Sequence, residues 1–217
     1  MKSAVKLLPI IYMVCLSYAL FGQGERRLLM EKDASSVREL YENDMYAAVQ
    51  SEVAGMMLKY EDHIPAHLEM EMQSYYVFSG IRLKQTDIDA LVADFGSRYP
   101  HSPRLALIKF EQSLYYFEKG DYSRSIAVLR GVENKYLSKS QRLEYMFNKA
   151  YSNMRVGNND EAKAGFRQIL SLGNTPYKAP SHYYLGYLNY ISGDFEKALG
   201  DFKVLENNTD YALLSKY

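Results

Sequence analysis

Three glycine-containing stretches recur in this chain at a nearly constant spacing. They begin at Gly120, Gly157 and Gly193 and read GDYSRSIAVL, GNNDEAKAGF and GDFEKALGDF, so the glycines lie 37 and 36 residues apart. Self-similarity at a period of about 20–50 residues is typical of repeat proteins, in which each unit buries its apolar face against a neighbouring unit. This period constrains the fold more than any other feature of the sequence.

Small and large residues recur in register with these glycines. Small residues stand seven positions before each glycine and five positions after it, namely Ser113, Ala150 and Gly186, then Ser125, Ala162 and Ala198. Large apolar residues stand nine and twelve positions after it, namely Leu129, Phe166 and Phe202, then Val132, Ile169 and Leu205. The small positions predict helices that cross closely, and the large positions predict a shared core.

The glycine itself is predicted to end one helix just before the next begins. Glycine adopts the left-handed conformation that closes many helices without a steric penalty. Asp121, Asn158 and Asp194 follow the three glycines, and Asp and Asn are favourable N-cap residues. A phosphate-binding loop needs more glycines and a preceding strand, so the pattern favours a helix–turn–helix unit.

The last copy resembles the tetratricopeptide repeat. It carries five of the positions that characterise this family: Leu185, Gly186, Gly193, Ala198 and Phe202. The two earlier copies have Gln112 and Lys149 where the family prefers leucine. The resemblance covers residues 104–207 and implies an all-α fold, a right-handed superhelix (α-solenoid) of stacked antiparallel helix pairs. It also implies a non-catalytic scaffold that binds proteins or peptides.

The same rhythm extends, more weakly, on both sides of these three repeats. Residues 34–103 are predicted to form two degenerate helix-pair repeats, 34–60 and 66–99. Residues 208–217 are predicted to start a further, incomplete repeat, with Tyr211, Leu214 and Tyr217 on one face. Because no polar cap follows, we expect either a longer array or another chain that covers this end.

The N-terminus has the pattern of an export signal. Residues 1–22 combine basic Lys2 and Lys6 with an apolar run of about 14 residues and a small residue, which is typical of a cleaved secretory signal peptide. Cleavage near Gln23 would leave residues 23–33 as an exposed leader; an uncleaved anchor is the alternative. Tyrosine-rich repeats behind such a signal resemble exported cell-envelope tetratricopeptide proteins of Bacteroidetes-type bacteria, so we expect a periplasmic or outer-membrane-associated protein. The membrane would be contacted only through an uncleaved N-terminus or a partner.

Composition and motifs argue against several other functions. The chain has 26 basic and 26 acidic side chains and no basic run, so we expect no nucleic acid partner. The one cysteine lies inside the predicted signal peptide, which excludes a disulfide from the mature chain. His63 and His67 have a zinc-like spacing, but Pro65 breaks the helix between them. No nucleophile–base pair stands out, so we predict no catalytic residue, no metal site, no cofactor and no enzyme activity.

The predicted partner-binding groove lies on the first helix of each repeat. Its residues stand ten, six and three positions before each glycine and are mostly aromatic: Phe110, Leu114, Phe117, Phe147, Tyr151, Met154, Tyr183, Tyr187 and Tyr190. In the family resembled, these positions face the inner, concave surface, and aromatic and methionine side chains suit recognition there. The alternative is that these side chains pack against the neighbouring first helix.

Three functions are consistent with these patterns. A protein- or peptide-binding scaffold of the cell envelope is favoured, because a solenoid has an extended surface and this sequence has no visible reaction centre. The alternatives are a helical accessory region of a longer protein and a structural spacer.

Overall fold

All regular structure is helical in the residues that the computed structural model describes, which are 24–206, 208 and 211. The all-α prediction is therefore confirmed. The helices are α1 (24–42), α2 (Tyr46–Tyr60), α3 (Ala66–Arg82), α4 (Ile88–Arg98), α5 (Pro103–Glu118), α6 (Tyr122–Leu129), α7 (Lys139–Arg155), α8 (Asn159–Ser171), α9 (Lys178–Ile191) and α10 (Phe195–Lys203). Short 3-10 turns lie at Glu61–His63 and Asn134–Tyr136.

The chain divides between Asp87 and Ile88 into two compact units. Helices α1 to α3 belong to the first unit and α4 to α10 to the second. The predicted repeat 66–99 is therefore split, because its two helices fall on opposite sides of this boundary. In the second unit α4 packs against α5, where the Asp89 carboxylate accepts hydrogen bonds from Gln112 at 2.7 Å and from the Tyr116 hydroxyl at 2.5 Å.

Helix α1 includes residues 24–33 of the predicted exposed leader, and most of these residues are exposed. The helix is already formed at residue 24, and the Met30 side chain is only 6% exposed. Met30, Ala34 and Val37 recur at helical spacing and all three belong to the core of the first unit. The apolar stripe of α1 thus begins at Met30, ahead of the predicted repeat boundary at residue 34.

The second unit repeats one packing arrangement along the chain. Helices α5 and α6, α7 and α8, and α9 and α10 pack as consecutive pairs, and α6 packs on α7 as α8 packs on α9. The predicted small positions lie where the helices cross: Ser125 donates a hydrogen bond to the carbonyl of Ser113 at 3.1 Å. Large side chains such as Phe166 and Ile169 are fully buried in one cluster with the small residues Ala150 and Ala162.

The repeated glycines have the conformation that the sequence predicts. Gly120, Gly157 and Gly193 have φ angles of 73°, 84° and 80°, in the left-handed region that only glycine enters freely. Asp121 then caps α6, because its carboxylate accepts the backbone N–H of Arg124 at 3.1 Å. Asp194 also stands at an N-cap position, but there its side chain makes no capping hydrogen bond.

Several predictions fall outside the described residues. These are the signal peptide at residues 1–22, including Cys15, and the predicted face of Leu214 and Tyr217 in residues 208–217. In the part of the chain that the structure describes, no helix is long and apolar enough to cross a membrane.

Candidate partner-binding surface

The nine predicted groove residues lie on α5, α7 and α9, all in the second unit. Their exposure differs widely. Tyr187 and Tyr190 are exposed, at 46% and 58% of their surface. Six side chains are half-buried, and these are Leu114, Phe117, Phe147, Tyr151, Met154 and Tyr183. The ninth is Phe110, which is 1% exposed.

Phe110 is a core residue, contrary to its place in the predicted groove. It packs in one cluster with Leu129, Val132, Leu137 and Tyr145. The turn between α6 and α7 places Leu137 in this cluster, so the ring is covered on every side. A side chain with almost no exposed surface offers a partner no contact area.

The half-buried aromatic residues form one connected cluster that crosses successive first helices. Phe117, Tyr122 and Tyr151 make a triangle in which the ring centroids lie 5.4–5.7 Å apart. Tyr151 also meets Tyr184 edge to face, with centroids 5.0 Å apart, and Phe147 stacks beside Tyr151 at 6.2 Å. Aromatic pairs at such distances add stability beyond their buried area. The rings therefore join α5, α6, α7 and α9.

Tyr184 is the ring that the sequence prediction missed. It contacts Phe147, Tyr151, Phe166 and Tyr183, and so links the core to the surface. Burial, more than its neighbours, raises the pKa of Tyr184 to about 12. Tyr184 stands nine residues before Gly193, and the equivalent positions of the other two copies hold Glu111 and Asn148. The repeat pattern therefore gave no aromatic signal at this position, and the only sequence signal was the Tyr183–Tyr184 doublet.

The ring contacts repeat along the chain as the helices do. Phe147 stacks on Tyr177 with centroids 4.8 Å apart, and Tyr183 meets Tyr211 at 5.5 Å. Phe147 and Tyr183 are equivalent residues, and each receives a tyrosine from the segment that follows its own repeat. Burial raises the pKa of Tyr177 as well. Tyr177 and Tyr211 are thus part of the packing on α7 and α9.

An open cleft lies where this cluster reaches the surface between α7 and α9. Its volume is about 330 Å³, and its lining consists of Met154, Arg155, Tyr183, Tyr184 and Tyr187. Most of this lining is aromatic or thioether surface, and one positive charge stands at its side. Ligand pockets commonly start at about 300 Å³ and combine apolar walls with a few polar groups.

Within the described part of the chain, the histidines assemble no metal site. His63 and His67 are exposed, and they lie on either side of Pro65, which precedes α3. His182 and Asp201 form a pair between α9 and α10, with Nδ1 and Oδ1 3.0 Å apart. Among the described residues, no group of three or more His, Cys, Asp or Glu side chains could hold a metal ion.

Comparison with solved structures identifies the fold. The structure of MamA from AMB-1 superposes with a TM-score of 0.63 at 16% identity, over 86% of this chain and 97% of that one. A putative kinesin light chain of Podospora anserina with nearly identical TPR-like repeats superposes with a TM-score of 0.57 at 12% identity, over 80% of this chain and 92% of that one. The chain has the tetratricopeptide-repeat fold.

The tetratricopeptide-repeat fold accounts for the residues that carried the resemblance. Leu185 and Ala198 are buried, and Gly186 faces Phe202 across the α9–α10 crossing. No protein-family model matches the sequence, and no curated protein matches it either. The likeness to these structures therefore lies in the three-dimensional arrangement of the helices.

Proposed function

We propose that this protein is a non-catalytic scaffold of the bacterial cell envelope that binds a protein or peptide segment on the first-helix surface of its second unit. The observation that carries the proposal is the exposure of Tyr187, which lines the aromatic cleft, and of Tyr190, which follows it on α9. Exposed tyrosines combine a large contact area with a hydroxyl that hydrogen-bonds a partner's backbone. The balanced charge of the chain, with 26 basic and 26 acidic residues, supports a protein partner over a nucleic acid.

The predicted signal peptide supports the envelope location. Fractionation of cells and N-terminal sequencing of the exported protein test it. We expect a periplasmic or envelope-associated chain that begins at or near Gln23. A cytoplasmic chain that still begins with Met1 would contradict the location, and an intact apolar segment in the membrane would favour the anchor.

Partner binding is tested with the double variant Tyr187→Ala and Tyr190→Ala. Both residues are about half exposed, so we expect the melting temperature to stay near that of the unaltered protein. Each aromatic anchor contributes about 2 kcal/mol or more to binding if it is a hot spot, so recovery of specific envelope proteins in a pull-down should fall sharply. Tyr136→Ala, which removes an exposed tyrosine from the turn Asn134–Tyr136, is the matched control.

Two results would count against this role. If the double variant melts early, the two tyrosines are structural, because removing a buried aromatic side chain costs about 3–5 kcal/mol. If it is stable and still recovers the same proteins as the control, this surface is not the binding surface, and the spacer function becomes the better account.

A further inference from the structure

Arg155, at the end of α7, is held in place by the aromatic cluster. Its guanidinium carbon lies 4.7 Å from the ring centroid of Tyr122 and 5.8 Å from that of Tyr151. Nη1 donates hydrogen bonds to both hydroxyls, at 3.2 Å to Tyr122 and 3.1 Å to Tyr151. Stacking and hydrogen bonding together orient a guanidinium without covering it, and the residue remains exposed.

The groups that contact the Arg155 guanidinium are tyrosine rings and hydroxyls. Some cations of the second unit pair with a nearby carboxylate, as Arg124 does with Asp121 and Lys197 with Asp194. Lys119 and Lys149 instead donate to the hydroxyls of Tyr115 and Tyr145. Among the described residues, Arg155 forms no such ion pair; the groups that contact it are tyrosines. The positions equivalent to Arg155 in the neighbouring repeats hold Glu118 and Ile191, so this cation belongs to one repeat alone.

The residues around Arg155 indicate which chemical groups a ligand of this cleft would carry. The cleft beside it is walled by Met154, Tyr183, Tyr184 and Tyr187, which suit an aromatic or large aliphatic side chain. Arg155 is the only cation among the described residues that line this cleft. One guanidinium matches the single charge of a carboxylate, whereas phosphate groups are usually held by several cations.

We propose that this cleft recognises a peptide segment in which an aromatic or large aliphatic side chain stands next to a carboxylate. The apolar side chain enters the cleft, and the carboxylate accepts hydrogen bonds from the Arg155 guanidinium. The inference rests on the proposed function, because it names the partner chemistry of the same surface. The carboxylate comes either from an Asp or Glu side chain or from the C-terminus of the partner.

Three synthetic peptides separate these sources. The first is acetyl-Gly-Ser-Phe-Asp-Gly-Ser-amide, with an internal acid; the second is acetyl-Gly-Ser-Gly-Ser-Phe with a free C-terminal carboxylate. The third, acetyl-Gly-Ser-Phe-Asn-Gly-Ser-amide, is the neutral control. Binding to the exported full-length protein is followed by NMR, using the side-chain N–H signals of arginine and the tyrosine ring signals.

We expect at least one acidic peptide to bind about tenfold more tightly than the neutral peptide, since a hydrogen bond to a charged group is worth about this much. Arg155→Gln should remove this preference, and Arg155→Lys should keep only part of it, because lysine lacks the planar fork. Arg167→Gln removes an exposed positive charge from α8 and should leave the preference unchanged. Raising the salt to about 0.5 M should weaken the preference, since it screens exposed charges.

The outcomes distinguish this inference from the proposed function. If all three peptides bind equally, or if Arg155→Gln keeps the acidic preference, the carboxylate inference is wrong, while the binding role of Tyr187 and Tyr190 stands on the pull-down. If no acidic peptide shifts the arginine or tyrosine signals at millimolar concentration, the inference is also wrong. If the pull-down variant retains its partners, the proposed function fails regardless of the peptides.

Discussion

Gly186 lies so close to Phe202 that a Cβ atom added to the glycine would stand 2.8 Å from Cε1 of the ring. The contact joins α9 to α10, and the added atom would also lie 3.0 Å from Cδ1 and 3.1 Å from Cζ. Carbon atoms pack best about 3.5–4.0 Å apart, so a methyl group fits here only if the ring moves. The ring in turn contacts Tyr183, whose centroid lies 6.3 Å away.

Gly186→Ala should therefore destabilise the protein, although alanine is the better helix former. Overpacking typically costs about 1–3 kcal/mol, and the gain in helix propensity offsets about 1 kcal/mol of this. Gly200→Ala is the matched control, because an added Cβ on this glycine of α10 meets nothing within 4 Å. Thermal melts should show Gly200→Ala at or above the unaltered protein and Gly186→Ala below it; the reverse order would contradict the packing of α9 on α10.

Asp33 should hold α1 against α2. Its Oδ2 accepts hydrogen bonds from Lys59 Nζ and from the hydroxyl of buried Tyr60, both at 2.8 Å. Asp33→Ala removes the acceptor of the Tyr60 hydroxyl and should cost about 1 kcal/mol or more. In a double-mutant cycle with Tyr60→Phe, the two losses should be less than additive. Fully additive losses would mean that Asp33 and Tyr60 do not interact in solution.

The Asp33 carboxylate should also make the stability of the protein depend on pH in the acidic range. The hydrogen bond from Lys59 is the largest cause that lowers the pKa of Asp33. A lowered pKa in the folded state means that this stabilisation is present above the unfolded value, near 3.9, and is lost as the pH falls through the folded pKa. The free energy of unfolding, measured with denaturant, should thus fall less steeply between about pH 5 and pH 2 in Asp33→Ala than in the unaltered protein. An identical slope would show that the pair with Lys59 is absent in solution.

Tyr184 should make the stability of the protein depend on pH in the alkaline range. Burial raises the pKa of its phenol from about 10 to about 12 in the folded chain. The contribution of the neutral Tyr184 phenol to the free energy of unfolding is therefore fully present below about pH 10. It is lost as the pH rises from about 10 towards 12. Tyr184→Phe cannot ionise and should lose less stability over this range. Tyr116, whose pKa burial also raises to about 12, should leave part of the pH dependence in place.

Local sequence determined the helix–turn–helix units. Gly120, Gly157 and Gly193 adopt left-handed backbone because that conformation depends on the residue itself and scarcely on its surroundings. The small residues at Ser113 and Ser125 predicted a close crossing for an equally direct reason, since backbones approach only where side chains are small. These features repeat at 36 and 37 residues, so each copy strengthened the others.

Tertiary structure decided which of the patterned residues reach solvent. Phe110 and Phe147 occupy the same position relative to their glycines, yet Phe110 is buried beneath Leu137 and Tyr145 while Phe147 remains half-exposed. Periodicity names the face of a helix on which a residue lies, but its exposure depends on the volume of side chains that arrive from the next repeat and its connecting turn. Tyr184 was missed for the same reason: no residue near it in sequence reveals that Tyr151 and Phe147 pack against its ring.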